Sequence, residues 1–79
     1  MNEYLVVYQP YQTHKCFPSI HIWPEILSML KVRDETKKGS FAVYRFSSTG
    51  EPKVCRIVHC RNVYWLEDKY GNFLEGRMG

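Results

Sequence analysis

The chain lacks a long apolar run, since no stretch of its 79 residues approaches the roughly 20 apolar side chains that a membrane-spanning helix needs. Its N-terminus lacks the basic segment and the apolar core of a signal peptide. It also contains no internal repeat and no low-complexity segment. These absences argue against membrane-spanning and fibrous proteins, and the length predicts a single domain over residues 1–79.

Cysteine is scarce, with only Cys16, Cys55 and Cys60 in the chain. A small secreted domain usually carries an even and denser set of cysteines, because disulfides compensate for a small hydrophobic core. An odd number without regular spacing is not typical of such a framework. We therefore expect three reduced thiols and a cytoplasmic location.

The clearest candidates for metal ligands are cysteines that lie close to histidines in the sequence. His14 lies two residues before Cys16. Cys55 is followed by His59 and Cys60. If this second segment forms a strand, Cys55 and His59 share a face but lie about 13 Å apart. The chain has no C-x-x-C pair, so we expect no metal ion and interpret the thiols as small core side chains.

The glycine-rich phosphate-binding patterns G-x-G-x-x-G and G-x-x-x-x-G-K are also absent. The cysteines and histidines form no recognisable nucleophile motif. A chain of 79 residues has little room for a closed pocket that excludes water. The sequence therefore predicts a protein that is not an enzyme and that uses no cofactor.

Aromatic residues, in contrast, are plentiful, with 6 Tyr, 4 Phe and 2 Trp. A domain this small buries only about 60% of the surface of its unfolded chain, so large rings matter for its core. The net charge is +3, and the pI near 8.8 is below the value of about 9 expected of a dedicated nucleic-acid domain. Because residues 1–30 carry a net charge of −1 and residues 31–79 carry +4, an anion-binding surface is expected in the second part.

Hydrophobic patterning predicts one helix and five strands. Pro24 and Glu25 mark a helix start, and Gly39 marks its stop. The helix is predicted to run from residue 24 to between 33 and 38, with Asp34 and Lys38 paired on an exposed face. The predicted strands are 4–9, 41–47, 53–60, 63–67 and 72–75. This β-α-β-β-β-β order predicts an α+β fold with one helix packed on a small, mostly antiparallel sheet, and the alternative is a small, partly open β-barrel with one helix.

The hairpin of strands 41–47 and 53–60 determines which side chains share a face. A four-residue loop at 48–51 pairs Phe46 with Lys53 and places Tyr44 opposite Cys55. The face predicted to join the core carries Ala42, Tyr44, Phe46, Cys55 and Ile57, and it meets Leu27 and Leu30 of the helix. The opposite face carries Phe41, Val43, Arg45, Val54, Arg56 and Val58. Arg45 and Arg56 are then diagonal neighbours, and their mutual repulsion favours a role in binding or an acidic neighbour such as Glu67 or Glu75.

The chain is rich in Tyr, Trp, Met and Arg, the residue types that are enriched at protein interfaces. A small domain without a catalytic motif usually acts by stoichiometric contact, so we predict a protein partner. The residues predicted to bind it are Arg45, Arg56, Lys53, Arg61, Tyr64 and Trp65. The alternative partner is a nucleic acid, because basic residues interleave with aromatic residues on the predicted strands, as in single-strand binders.

As a short reading frame without a catalytic motif, the chain is similar in type to the small accessory proteins of phages and mobile elements. Such proteins often block the defence or polymerase machinery of the host. The resemblance implies a small inhibitor of host machinery, such as an anti-defence protein.

Overall fold

The computed structural model describes residues 2–10, 17–47 and 49–77. Its elements in chain order are β1 (Glu3–Gln9), β2 (Ser19–Ile22), α1 (Trp23–Thr36), β3 (Ser40–Phe46), β4 (Pro52–Cys60), β5 (Val63–Asp68) and β6 (Phe73–Gly76). The predicted α+β class is confirmed, and β2 is an additional short strand. In the described ranges, no helix is both long and apolar enough to cross a membrane. His14 and Cys16, which were weighed as metal ligands, lie outside the described residues.

The six strands form one antiparallel sheet in the order β2-β1-β3-β4-β5-β6. In a flat sheet, β1 and β6 would lie about 19 Å apart, at roughly 4.8 Å per strand. However, the side-chain amide of Asn2, just before β1, donates a hydrogen bond of 3.0 Å to the carboxylate of Glu75 in β6. The sheet is therefore strongly curled into a half-barrel, with Asn2 and Glu75 meeting across its concave face.

Helix α1 forms where the sequence predicts it and covers the concave face. Pro24 lies in its first turn, where the missing N–H is harmless, and the Glu25 carboxylate accepts a hydrogen bond of 3.0 Å from the backbone N–H of Ile22. The helix ends at Lys37, whose φ of 56° is left-handed and whose N–H donates to the carbonyl of Arg33 at 2.8 Å.

The hydrophobic core lies between α1 and the concave face of the sheet. Its buried residues are Tyr4, Val6, Ile26, Leu30, Val43, Cys55, Tyr64 and Leu66. Leu27 and Ile57 are partly buried and pack against this cluster. The predictions that Leu27, Leu30, Cys55 and Ile57 contribute to the interior are therefore confirmed.

The predicted register of the β3–β4 hairpin is wrong by one residue. Val43 lies opposite Cys55, and Phe46 lies opposite Pro52. Five residues therefore join the strands rather than four, because Ser47 belongs to the loop: its hydroxyl donates to the carbonyl of Glu51 at 2.9 Å. A shift of one residue moves every side chain of a strand to the other face.

This shift corrects the predicted core. Val43 takes the interior position in β3 and is 1% exposed. Ala42, Tyr44 and Phe46, which were predicted to be core residues, lie on the convex face, and Phe46 is 45% exposed. The loop length, rather than the hydrophobicity of the strand, decides which aromatic residues are buried.

The β5–β6 hairpin turn forms as its sequence predicts. The N–H of Gly71 donates to the carbonyl of Asp68 at 3.1 Å. The Asp68 carboxylate accepts hydrogen bonds from the backbone N–H groups of Tyr70 and Asn72, at 2.8 and 2.9 Å. Hydrogen bonds from Asn72, through its side chain and then its backbone, lower the pKa of Asp68.

Candidate functional site

Helix α1 leaves the convex face of the sheet uncovered, and we call this the open face. Because side chains alternate along each strand, it is formed by the neighbours of the core residues. The open face comprises Glu3, Leu5, Val7, Gln9, Ile20, Ile22, Ser40, Ala42, Tyr44, Phe46, Pro52, Val54, Arg56, Val58, Cys60, Val63, Trp65, Glu67 and Phe73. These side chains are predominantly apolar.

Several large side chains of the open face are well exposed. Val54 is 60% exposed, Phe46 and Phe73 are each 45% exposed, and Ile20 is 44% exposed. Single exposed apolar residues are common, but a contiguous apolar patch on a small protein usually marks an interaction surface. The open face therefore has the composition of a docking surface.

One cation lies near the centre of the open face without a partner. Arg56 in β4 is directly opposite Glu67 in β5. The Glu67 carboxylate instead accepts a hydrogen bond of 3.1 Å from the indole N–H of Trp65. In the part of the chain that the structure describes, no carboxylate lies within 4.0 Å of the Arg56 guanidinium. The guanidinium is thus free to bind an external oxyanion.

Gly76 allows β6 to pair closely with β5 beside the open face. It lies opposite Trp65, and its φ is 125°. A Cβ at this position would lie 2.6 Å from the Trp65 Cβ, well inside van der Waals contact. Only glycine combines this backbone angle with this approach, so glycine at this position permits the close pairing of β6 with Trp65.

The six predicted binding residues are divided between the two faces. Arg56 and Trp65 lie on the open face, and Arg45 and Lys53 are opposite each other on the concave side. The predicted diagonal pairing of Arg45 with Arg56 is therefore wrong, because the shifted register places them on different faces.

The remaining two predicted residues lie away from the open face. Arg61 is in the tight turn between β4 and β5, where its φ of 50° and the φ of 64° at Asn62 form a two-residue hairpin turn with left-handed geometry. Tyr64 is only 8% exposed and belongs to the core. A role for any of the six in partner binding stays a prediction.

Tyr64 takes part in a polar cluster that sequence analysis did not foresee. Its hydroxyl donates a hydrogen bond to the Asp34 carboxylate of α1. His59 stacks on the Tyr64 ring, with centroids 4.1 Å apart, and its Nδ1 lies 3.3 Å from Asp34 Oδ2. Arg33 Nη1 lies 3.3 Å from the other oxygen of the same carboxylate.

This Asp34 cluster ties the end of α1 to β4 and β5. Burial, and then the hydrogen bond and negative charge of Asp34, raise the pKa of Tyr64 to about 12. Asp34 is therefore a structural anchor, and its predicted pairing with Lys38 on an exposed helix face is wrong. One part of this cluster could have been predicted from the sequence. A two-residue turn at 61–62 places His59 opposite Tyr64.

The two described cysteines lie on opposite faces of β4. Cys55 is buried on the concave side, where burial raises the pKa of its thiol, and Cys60 is exposed on the open face. Over residues 2–10, 17–47 and 49–77, no three His, Cys, Asp or Glu side chains are placed to hold a metal ion together.

Comparison of the chain with protein-family models, with curated proteins and with solved structures finds no match. The function is therefore argued from the chemistry of the two faces.

Proposed function

We propose that the protein is a non-enzymatic binding protein that acts by stoichiometric contact with a protein partner in the cytoplasm, through the open face. The observation that carries this proposal is the exposed apolar surface around the unpaired Arg56. Burying Phe46, Val54 and Phe73 against a partner would remove apolar surface from water at the cost of few polar groups.

The partner surface that fits the open face is apolar, with a carboxylate at its centre. An aspartate or glutamate would form a bidentate pair with the free Arg56 guanidinium, which gives orientation as well as affinity. Trp65, whose indole N–H donates to Glu67, is a large aromatic side chain of the kind that dominates binding energy at interfaces. An inhibitor of the phage or mobile-element type would use such a face to cover the functional site of a host protein.

Nucleic acid is the second candidate, and the placement of the cations supports it less well. Binding to a phosphate backbone is driven by several cations on one surface. Arg45 and Lys53 lie on the concave side, and Arg61 lies in a turn, so Arg56 is the one predicted cation that the open face presents. Glu67 beside it also opposes a phosphate backbone.

The test is affinity capture from the native host with a matched pair of variants. The open-face variant combines Phe46→Ser with Arg56→Gln. The control combines Val32→Ser with Lys31→Gln, which removes one exposed apolar side chain and one cation from α1, on the other side of the sheet from the open face. We expect the partner to survive nuclease treatment, to remain bound to the control, and to be lost from the open-face variant.

The affinity of the captured protein, once purified, then gives the decisive number. We expect the open-face variant to bind it at least about tenfold more weakly, with most of the change in the dissociation rate. Equal binding by both variants would exclude the open face. Loss of all captured material after nuclease treatment would favour the nucleic-acid alternative, and concentration-dependent self-association through Phe46 and Arg56 would replace the foreign partner with a second copy.

A further inference from the structure

A separate cavity of about 190 Å³ opens on the protein where β3, β4 and the β5–β6 turn meet. Arg45, Lys53 and Lys69 contribute cationic groups to its lining. The buried Cys55 and the partly buried Leu74 contribute apolar surface. The cavity therefore combines an apolar interior with a concentration of positive charge.

Two of these cations face each other within the sheet. Arg45 in β3 is directly opposite Lys53 in β4, on the same face. Like charges in this arrangement destabilise a sheet. Among the described residues, neither side chain has a carboxylate within 4.0 Å. The fold therefore maintains an unfavourable pair of charges that a bound anion would relieve.

The nearest carboxylate in the cavity wall is committed to other contacts. Asp68 accepts hydrogen bonds from the backbone N–H groups of Tyr70 and Asn72 and, at 3.0 Å, from the side-chain amide of Asn72. It holds the hairpin turn together rather than pairing with Arg45 or Lys53. The cavity lining therefore carries three cationic side chains and the single carboxylate of Asp68, so its net charge is positive.

An aromatic side chain borders the cavity and extends its apolar part. The Tyr70 ring is 77% exposed, and the ammonium group of Lys69 lies 5.1 Å from its centroid. An exposed ring beside cations is suited to stack on a flat ligand while the cations hold its charged group. The volume of about 190 Å³ is also sufficient for one ring, since a cavity of about 150 Å³ holds benzene.

We propose that this cavity binds an oxyanion, a carboxylate or a phosphate, carried on a single aromatic ring. Arg45 and Lys53 hold the oxyanion, the ring lies over Cys55 and Leu74, and Tyr70 covers it. The site shares Val54 of its lining with the open face but uses none of the charged groups of that face, so the binding of an anion can be tested without the protein partner proposed above.

The probes that test this site are phenyl phosphate, phenylacetate, inorganic phosphate and benzyl alcohol, titrated into isotope-labelled protein and followed by NMR. We expect phenyl phosphate or phenylacetate to give saturable shifts at residues 45, 53 and 70, and the tighter of the two identifies the charged group. Benzyl alcohol, which lacks the charge, is expected to bind at least about tenfold more weakly. Inorganic phosphate that binds as tightly as phenyl phosphate would overturn the aromatic part of the proposal.

A double variant, Arg45→Met with Lys53→Met, removes both charges and keeps apolar stems of similar length. It is expected to lose at least about tenfold in affinity for the tighter probe, while Arg56→Met with Arg61→Met, which removes two charges elsewhere, stays within about twofold. The single change Lys53→Glu is a second test. The new carboxylate can pair with Arg45, which favours a folded variant, and its negative charge repels the anion. Absence of saturable binding to the parent protein, or an equal loss in both double variants, would overturn the proposal.

Discussion

The two faces of the sheet are built from alternate residues of the same strands, yet one face is a core and the other is a surface. Val43 is 1% exposed and its neighbour Tyr44 is half-buried on the other side, while Cys55 is 7% exposed and Val54 is 60% exposed. Both faces are apolar. Strands that are apolar on both faces normally lie between two layers. Here α1 covers the concave face alone, so apolar character does not distinguish core from surface in this protein.

The difference lies in the partners of each face and in the curl of the sheet. The concave face receives Ile26 and Leu30 of α1, both buried, and the curl brings β6 toward β1. The open face is on the convex side and receives no helix or strand from the described part of the chain. The core should therefore be sensitive to substitution, whereas the open face should tolerate it.

The largest expected difference is between Leu30→Ala and Phe46→Ala. Leu30 is 2% exposed under α1, and its truncation should lower the free energy of unfolding by about 2–5 kcal/mol. Phe46 is 45% exposed on the open face, and its truncation should cost less than about 1 kcal/mol.

Thermal or urea unfolding of the two variants checks this prediction. In a domain of this size, each 1 kcal/mol corresponds to roughly 4–8 °C in Tm. If Leu30→Ala melts within a degree or two of the parent protein, the helix face has been assigned wrongly. If Phe46→Ala is as damaging as Leu30→Ala, the open face contributes to the core and does not serve as a free surface.

A second expected difference concerns the backbone that returns from α1 to the sheet. Gly39 and Gly50 have nearly the same φ, 87° and 86°, so alanine is strained at both. A Cβ at Gly39 would lie 2.2 Å from the carbonyl oxygen of Gln9, while no atom of the described residues lies within 4 Å of a Cβ at Gly50. Gly50→Ala should cost about 1 kcal/mol, and Gly39→Ala more than about 2 kcal/mol.

Urea unfolding of the two alanine variants isolates the effect of the close approach, because the backbone strain is common to both. Equal destabilisation would mean that the chain around Gln9 moves aside without cost. That outcome would show that the close approach of Gly39 to Gln9 does not require glycine.

Two tyrosines share the concave face, and their hydroxyl groups should contribute differently to stability. The Tyr64 hydroxyl donates to Asp34, while the buried Tyr4 hydroxyl lies near Glu75, whose carboxylate already accepts a hydrogen bond from Asn2. Tyr64→Phe should lower stability by about 1–2 kcal/mol, because the half-buried Asp34 loses a donor. Tyr4→Phe should cost less than Tyr64→Phe, since the Glu75 carboxylate keeps its hydrogen bond from Asn2 when the hydroxyl is removed.

Alkaline pH should reveal the same two groups. Burial is the main cause that raises the pKa of both Tyr4 and Tyr64 to about 12, and nearby Glu75 and Asp34 add to the rise. An unfolded tyrosine ionises near pH 10, so the stability due to these groups is intact below about pH 10 and is lost as the pH approaches about 12. Each Phe variant should reduce the pH dependence of the urea midpoint in this range, and an unchanged dependence in both variants would contradict the assignment.

The elements that the sequence predicts well depend on local chemistry. Pro24 and Glu25 define the start of α1 whatever packs against it, and the hydrogen bonds of Asp68 are made within its own turn. These signals involve residues no more than four positions apart, so they are visible without the tertiary structure. The α+β class then follows from the number and order of the elements.

What could not be predicted depends on distant contacts or on a single residue of loop length. Ser47 joins the β3–β4 loop through hydrogen bonds with Thr49 and Glu51, and this moves Arg45 and Arg56 to different faces. The contact of Asp34 with Tyr64 spans 30 residues, and no local pattern encodes it. The candidate site was therefore predicted in composition, with an arginine among valines and aromatic residues, but not in its exact membership.

The smallest effect, and the most direct report on the two faces, should come from the cysteines. Cys60 is exposed on the open face, while Cys55 is buried and its pKa is raised by burial, so Cys60 should react much faster with iodoacetamide in the native protein. Peptide mapping by mass spectrometry assigns each modification and separates Cys16 from both. All three thiols should react after denaturation, since we predict that they are reduced.

Saturation with the partner should then protect Cys60 if the partner covers the open face, whereas rapid labelling of Cys55 in the native protein would show that the concave face is open to solvent.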